Sequence, residues 1–329
     1  MSACVLFFGG EKLSLVTAKP SVNGTFSVRE MSEHAYSGIV NKEFVDTSEL
    51  PKIFGQLISE LNISRGGTLT IGVPSCFCKI KITQERLIFK KPKKITRHDI
   101  EEILNGGRPV YFKVDNGFPI LDAMGRIVKN KLEANVSHLA VDPHFFDIIY
   151  SCHDIIDRFK KVVFLPIALA EANYLIDVHV RDKTCVLISS KMFTTSVTVV
   201  VGDQICALET LETGMAHVIN EIILVKNSSY NFAKEIIKTP GVDAEVQDIV
   251  NARLEDMSEQ IFSAIFSFDR NLFNRPFYIC GGYIDAIPGA REIFEKTLGV
   301  KITQLFCPLS ESNKPDVISR DAIVSLALT

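Results

Sequence analysis

No CxxC pair occurs among the eight cysteines of this 329-residue chain, and its seven histidines show no ligand spacing. The common zinc and dithiol-redox motifs are therefore absent. Cys76 and Cys78, two apart, would face one side of a strand, but no nearby His completes a metal set. Most cysteines sit in apolar runs and read as buried free thiols of a reducing cytosol. No run of 18 apolar residues exists, so no helix is expected to span a membrane. The opening MSACVLFFGG has no basic flank, unlike a secretory signal, and Glu11-Lys12 stops it early. The closing AIVSLALT is a short apolar tail, not a basic amphipathic helix. A net charge of −3 offers nucleic acid no general attraction. What the chain does have is 47% apolar and 23% charged residues, enough for two domains with substantial cores.

A further absence is local. The stretch CVLISSKMFTTSVTVVV, residues 185–201, reads as two strands, Cys185–Ile188 and Thr194–Val201, rich in β-branched residues. Ser189 to Phe193 would join them. That turn has no Gly, and no Asp occurs from Lys183 to Gly202. Tight turns usually use residues that tolerate positive φ.

Around this hairpin, strands and helices alternate. ACVLFFGG, KLSLVTAKP and GTFSVREMSE read as strands. LPKIFGQLISELN carries apolar residues at helical spacing, with Pro51 in its first turn. GTLTIGVPS reads as a buried strand. CFCKIKIT and RLIFKKPKK read as a strand pair with a basic, solvated turn, and Thr96 with Asp99 caps HDIEEILNGG. KLEANVSHLAVD is a strand, FFDIIYSCHDIIDRF a helix, and KVVFLPIALAEANYLI a strand and a helix. Later come GMAHVINEIILV, NFAKEIIKT and the long amphipathic VDAEVQDIVNARLEDMSEQIFSAIFSF, then PFYICGG, AREIFEKTLG and KITQLFCP. Both halves open alike, with Cys4-Val5-Leu6-Phe7 and Cys185-Val186-Leu187-Ile188. Each continues through a polar turn to a strand with a Ser, Ser14 ten positions after Cys4 and Ser196 eleven after Cys185. The echo points to duplicated α/β lobes.

Five blocks, in order, resemble the actin-like ATPase superfamily and, within it, the FtsA family of bacterial cell-division proteins. They are GVPSCFCKIKI, FPILDAMGRIVKNKLEANVSHLAVD, FLPIALAEANYLI, YICGGYIDAIPGAREIFEKTLG and LFCPLSESNKPDVISRDAIVSLAL. The resemblance implies a two-lobed actin-like α/β fold of duplicated ribonuclease-H-like lobes, with an FtsA-type α+β subdomain inserted in the first. Lobe one is expected over 1–73 and 160–181, the insert over 74–159, and a reduced second lobe over 182–329, ending in a helix that returns to lobe one.

In that family ATP lies between the lobes. Two hairpin turns hold its phosphates through backbone N–H groups, and an Asp in each positions Mg²⁺. The first motif, Asp, apolar, Gly, Thr or Ser, then Lys, meets Phe7, Phe8, Gly9, Gly10, Glu11 and Lys12 here. Asp has become Phe7, and Glu11 would repel a triphosphate. In the second motif, Asp-x-Gly-Gly-Gly-Thr-x-Asp, Ile188 stands for the first Asp. Ser190, Lys191 and Met192 stand for the glycines, and Thr195 or Ser196 for the last Asp. No catalytic residue and no metal ligand is expected, so hydrolysis should fall below detection. The adenosine side is better kept. Gly281 and Gly282 match the family's paired glycines, and Glu235 and Lys238 its Glu-x-x-Lys helix. The residues left to hold a nucleotide are Gly9, Gly10, Lys12, Lys191, Glu235, Lys238, Gly281 and Gly282. They imply at most weak binding of ATP or ADP and no required cofactor.

The resemblance thus implies a pseudo-ATPase scaffold in bacterial cell division, cytoplasmic and recruited to the division site. Its partners would be FtsZ or other FtsA-like subunits, met through the insert or the second lobe, with self-association among the options. Between Lys238 and Cys280 one long helix stands where FtsA has additional strands that dock the FtsZ tail, which counts against an FtsZ contact. The chain stops at Thr329, short of FtsA's membrane-binding helix, so no anchor of its own is expected. Two alternatives are a nucleotide-binding, filament-forming member of the superfamily and a PilM-like pilus-assembly scaffold that binds a short peptide of a membrane partner.

Overall fold

The structure, a computed structural model, describes residues 3–21, 25–61, 63, 66–104, 108–114, 120–121, 127–181, 183–202, 204–306 and 315–328. Three strands, β1 (Ala3–Phe8), β2 (Lys12–Pro20) and β3 (Phe26–Ala35), form an antiparallel meander. A short pair, β4 (Ile39–Val40) and β5 (Glu43–Phe44), leads to helix α1 (Leu50–Glu60), and β6 (Thr68–Val73) then joins β1 in parallel. Helix α1 buries Leu50, Ile53, Phe54, Leu57 and Ile58, the i, i+3, i+4 stripe of its sequence.

The chain next leaves for a small separate sheet. It contains β7 (Cys78–Lys93), helix α2 (Arg97–Leu104), β8 (Arg108–Val114), β9 (Ile120–Leu121) and β10 (Ile127–Val141). Strand β7 is one continuous strand of 16 residues, not the strand pair expected from its polar middle. Gln84, Glu85 and Arg86 pair in register with Asn135, Ala134 and Glu133 of β10, so the ladder crosses the polar segment without a break. Thr96 and Asp99 cap α2 as expected: Asp99 Oδ2 accepts from the Thr96 N–H at 2.8 Å, and Thr96 Oγ1 accepts from the Asp99 N–H at 3.4 Å.

Helices α3 (Pro143–Tyr150) and α4 (His153–Ile156) replace the single expected helix. They send Phe145, Ile148, Ile149, Cys152 and Ile156 into the core beneath α1. There Phe145 meets Phe77 at 4.9 Å and Phe8 at 5.7 Å between ring centres. Strand β11 (Lys161–Pro166) closes the first sheet beside β6, and α5 (Ile167–Leu175) and α6 (Val178–Arg181) lead out of the lobe.

The second lobe repeats the first. Strands β12 (Cys185–Ser190), β13 (Thr195–Val201) and β14 (Gln204–Leu211) form an antiparallel meander. Helices α7 (Met215–Lys226), α8 (Tyr230–Ile236) and α9 (Ala244–Phe268) follow, and β15 (Phe277–Cys280) adds to β12 in parallel. After α10 (Ala290–Leu298), β16 (Ile302–Gln304) adds beyond β15, and α11 (Val317–Leu328) returns to pack on α5 and β1. The two sheets have orders β11-β6-β1-β2-β3 and β16-β15-β12-β13-β14. Strand for strand, order and sense are the same, as the duplicated Cys-Val-Leu openings suggested. Helices α5 and α11 lie between the lobes and contribute to a core on each side.

The small sheet also reaches the second lobe. Ser137 on β10 donates to the Ile205 carbonyl at 2.7 Å, and Ile80 packs among Ile205, Leu208 and Leu326. Part of the edge strand β14 is thereby covered, a common protection against unwanted strand pairing. Phe145 is wholly buried, so Phe145→Ala should destabilise the protein by about 3–5 kcal/mol in urea unfolding. An effect under ~1 kcal/mol would show that α3 is not part of the first lobe's core.

Candidate functional site

The two β-hairpins define the cleft, and strand register decides which of their residues correspond. In lobe one, Phe7 pairs with Ser14 and Phe8 with Leu13, leaving the turn Gly9-Gly10-Glu11-Lys12. In lobe two, Ser189 pairs with Ser196 and Ser190 with Thr195, leaving the turn Lys191-Met192-Phe193-Thr194. Each turn is closed by one bond from its first N–H to its fourth carbonyl, at 2.9 Å in the first and 2.8 Å in the second.

The residue equivalent to Phe7 is therefore Ser189, and the equivalent of Ser14 is Ser196. This corrects the expectation that Ile188 stands in that place. Ile188 points the other way, into the second lobe's core with Val186 and Val197. Phe7 packs beneath α5 and α11, and Leu187, on the same face as Ser189, packs against the other side of those helices. A shift of one residue exchanges the faces of a strand. The matching Cys-Val-Leu openings conceal that shift; the Ser spacing of ten against eleven records it.

The two turns touch. A Cβ on Gly10 would lie 2.6 Å from Met192 Cβ and 2.6 Å from the Tyr283 hydroxyl. Met192 is the positional equivalent of Gly10, so the hairpins meet turn to turn. Between them remains a cavity of about 50 Å³, lined by Gly9, Gly10, Tyr36, Cys76, Lys191, Met192, Ser196 and Asp316 among others. Ser196 is buried, and its hydroxyl has no hydrogen-bond partner among the described residues.

Polar links beside the two hairpin turns cross the cleft. At its mouth Glu11 accepts from the Tyr230 hydroxyl at 2.6 Å and from Lys234 Nζ at 3.0 Å. Burial pushes the Glu11 carboxyl up, but these two donors outweigh it and hold it below its usual value. Deeper, Asp316 Oδ2 accepts from the Gly10 N–H and from the Tyr283 hydroxyl, both at 2.8 Å. Burial raises the Asp316 carboxyl, against the pull of Lys191 and these donors. At the base, Lys191 donates to Glu171 Oε1 at 2.5 Å and to Ser319, which also donates to Glu171. Burial alone would lower the Lys191 ammonium, but Glu171, together with the nearby Cys280 and Asp316, more than offsets this and raises it.

The other expected nucleotide residues are arranged differently. Gly281, at φ 131°, lies so close to the second hairpin that a Cβ would be 1.9 Å from the Ser190 carbonyl oxygen. Asp285 fixes this turn by accepting from the Gly282 and Tyr283 N–H groups at 2.9 and 3.0 Å and from the Ser190 hydroxyl at 2.7 Å. The paired glycines are thus bound to the second hairpin by the protein itself. Glu235 and Lys238 form an exposed ion pair with each other at 2.7 Å, and Lys12 is an exposed residue beside Glu33. On α8 it is Lys234, next to Glu235, that reaches the cleft. Sequence reasoning missed Asp316, Glu171, Ser319, Tyr230 and Lys234. Glu171, Asp316 and Ser319 lie in blocks of the resemblance but at no position singled out there, and only the folded chain brings the five to the cleft.

No protein-family model matches the sequence, and no curated protein does either. Solved structures do match along the whole chain. The PilM-PilN type IV pilus biogenesis complex matches at 16% identity over 99% of this chain and 97% of that one, with a TM-score of 0.61. MreB5 of Spiroplasma citri bound to ADP matches at 9% identity over 97% and 94%, with a TM-score of 0.57. The ethanolamine utilization protein EutJ from Carboxydothermus hydrogenoformans matches at 14% identity over 100% and 89%, with a TM-score of 0.56.

The fold is actin-like. Its structural neighbours are members of the actin-like ATPase superfamily, and the cleft described above is the one between the two lobes of that fold.

Glu171 is fully buried and the Lys191 side chain is 19% exposed, so removing one partner strands a charge. Lys191→Met should cost about 3–5 kcal/mol in thermal or urea unfolding, and the double variant Lys191→Met, Glu171→Leu should recover most of it. A lysine raised by folding gives its stabilisation below its ordinary value and loses it as pH rises through the raised one. The wild type's advantage over Lys191→Met should therefore fade only above pH 10.5. Gly281→Ala should destabilise by at least ~2 kcal/mol, since its backbone conformation is nearly confined to glycine.

Proposed function

We propose that this chain is a non-catalytic actin-fold scaffold that acts through protein contacts. The observation that carries the reading is the contact of the two hairpin turns, with Met192 against Gly10. Phosphates in this fold would need that space, and the cavity of about 50 Å³ left there compares with ~300–1,000 Å³ for small-molecule sites. The chemistry is altered as well. Phe7 and Ser189 occupy the equivalent first positions of the hairpins, so neither offers a carboxylate to position a hydrated cation. Losing such electrostatic groups costs a rate of order ~10²–10³ each. Nucleotide, if held at all, would be held weakly and without Mg²⁺.

The FtsA resemblance of the sequence supports a division-type scaffold in the cytoplasm, with the small β7–β10 sheet as its interaction module. Partners would be division proteins or further copies of the chain, at the division site. A second reading, a pilus-type scaffold, is supported by the end-to-end match to the PilM-PilN complex. The two readings share the closed cleft and differ in the partner.

Two experiments test this. Purified protein incubated with ATP and Mg²⁺ should release no phosphate above background, and steady turnover would overturn the non-catalytic reading. Affinity capture from source cells should recover division proteins, whereas pilus-assembly proteins would favour the second reading and recovery of neither would count against both.

A further inference from the structure

Two carboxylates of the closed cleft, Asp316 and Glu171, lie outside the expectations from the sequence. Asp316 stands immediately before α11 at φ 68°, a left-handed conformation uncommon outside glycine. Holding a residue there costs of order ~1–3 kcal/mol unless its surroundings over-determine it. Here they do. Its Oδ2 receives the Gly10 N–H and the Tyr283 hydroxyl, each at 2.8 Å. It lies so close to the first turn that a Cβ on Gly9 would be 2.6 Å away. Asp316 and Lys191 line the same cavity, and the lysine attracts the carboxylate across it.

A glycine-turn N–H and a hydroxyl on one oxyanion, with an ammonium across the same cavity, form a setting suited to carboxylate or phosphate oxygens. The groups come from both lobes: Gly10 lies on the first hairpin, Tyr283 on the turn after β15, and Lys191 on the second hairpin. An anion bound here therefore ties the lobes together.

We propose that Asp316 is a built-in anionic ligand: its carboxylate fills the anion seat of the first hairpin and holds the lobes closed without a bound small molecule. This rests on the closed-cleft reading and deepens it by naming the group that occupies the seat. The seat itself is not destroyed. Its Gly10 donor is engaged, and removing Asp316 frees it for an external oxyanion.

Amide hydrogen exchange at Gly10, followed by NMR, tests this in the full chain, with inorganic pyrophosphate as the probe. In Asp316→Ala the Gly10 amide should exchange at least about tenfold faster than in wild type, and millimolar pyrophosphate should slow it again. In wild type pyrophosphate should leave it unchanged. Three results overturn the proposal: wild-type exchange at Gly10 in a folded Asp316→Ala, faster exchange that pyrophosphate does not reverse, or equal responses to pyrophosphate in both proteins. Should Asp316→Ala not fold, Tyr283→Phe removes one donor and keeps the ring. A several-fold faster Gly10 exchange then supports the assignment, and an unchanged rate overturns it. ATP turnover by the wild type would sink the scaffold reading itself. In an inert wild type, the Gly10 measurements judge Asp316 alone.

Discussion

Met192 against Gly10 is the contact on which the rest of the cleft depends. The two residues occupy the same position in two copies of one hairpin. In one copy glycine removes the side chain, and in the other methionine supplies one. A flexible thioether suits such a gap, because it adapts to irregular space. With the turns in contact, the surrounding polar groups face each other across a few ångströms, not across a ligand. Glu11 meets α8, Asp316 meets Gly10 and Tyr283, and Lys191 meets Glu171 and Ser319.

These links differ in weight. The Glu11 pair with Lys234 is nearly half exposed on both sides, and such pairs contribute little, about 0–1 kcal/mol. Because folding depresses the Glu11 carboxyl, that small contribution is present above its ordinary value of 4.5 and is lost as pH falls through the lower folded value. The Lys191–Glu171–Ser319 group is buried, and its importance lies in the penalty for breaking it. Its geometry also selects one arrangement of the lobes, since α5 and α11 supply Glu171 and Ser319 while the second hairpin supplies Lys191. A fold whose lobes are fixed by its own side chains presents constant outer surfaces. That property suits a scaffold, whereas an ATP-driven machine needs lobes that respond to the nucleotide.

Much of the architecture was legible in the sequence because it follows from hydrophobic period. The apolar arms of the first hairpin, the β-branched arms of the second, the stripe of α1 and the Thr96–Asp99 cap all formed as their residues required. The absence of glycine from the second turn was legible too. Register was harder. Val186 and Ile188 look like Val5 and Phe7, but they face the opposite side of their sheet, and only strand pairing with Ser196 reveals Ser189 as the equivalent. The polar middle of β7 reads as a turn because local composition carries no information about its distant partner strand β10. Glu235 and Lys238 fit a motif, yet the neighbouring Lys234 is the residue directed at the cleft. Asp316 had no signal at all: its role arises from a contact 306 residues away in the chain.

The protein's own atoms close the cleft. Thermal unfolding of the wild-type chain with and without millimolar ATP or ADP, in the presence and absence of Mg²⁺, is the decisive measurement. A ligand present at 100 times its Kd stabilises the folded state by about 2.7 kcal/mol, which shifts Tm by several degrees in a protein of ordinary size. A cleft closed in this way should give the same Tm under every condition. A nucleotide-dependent rise of several degrees would contradict it.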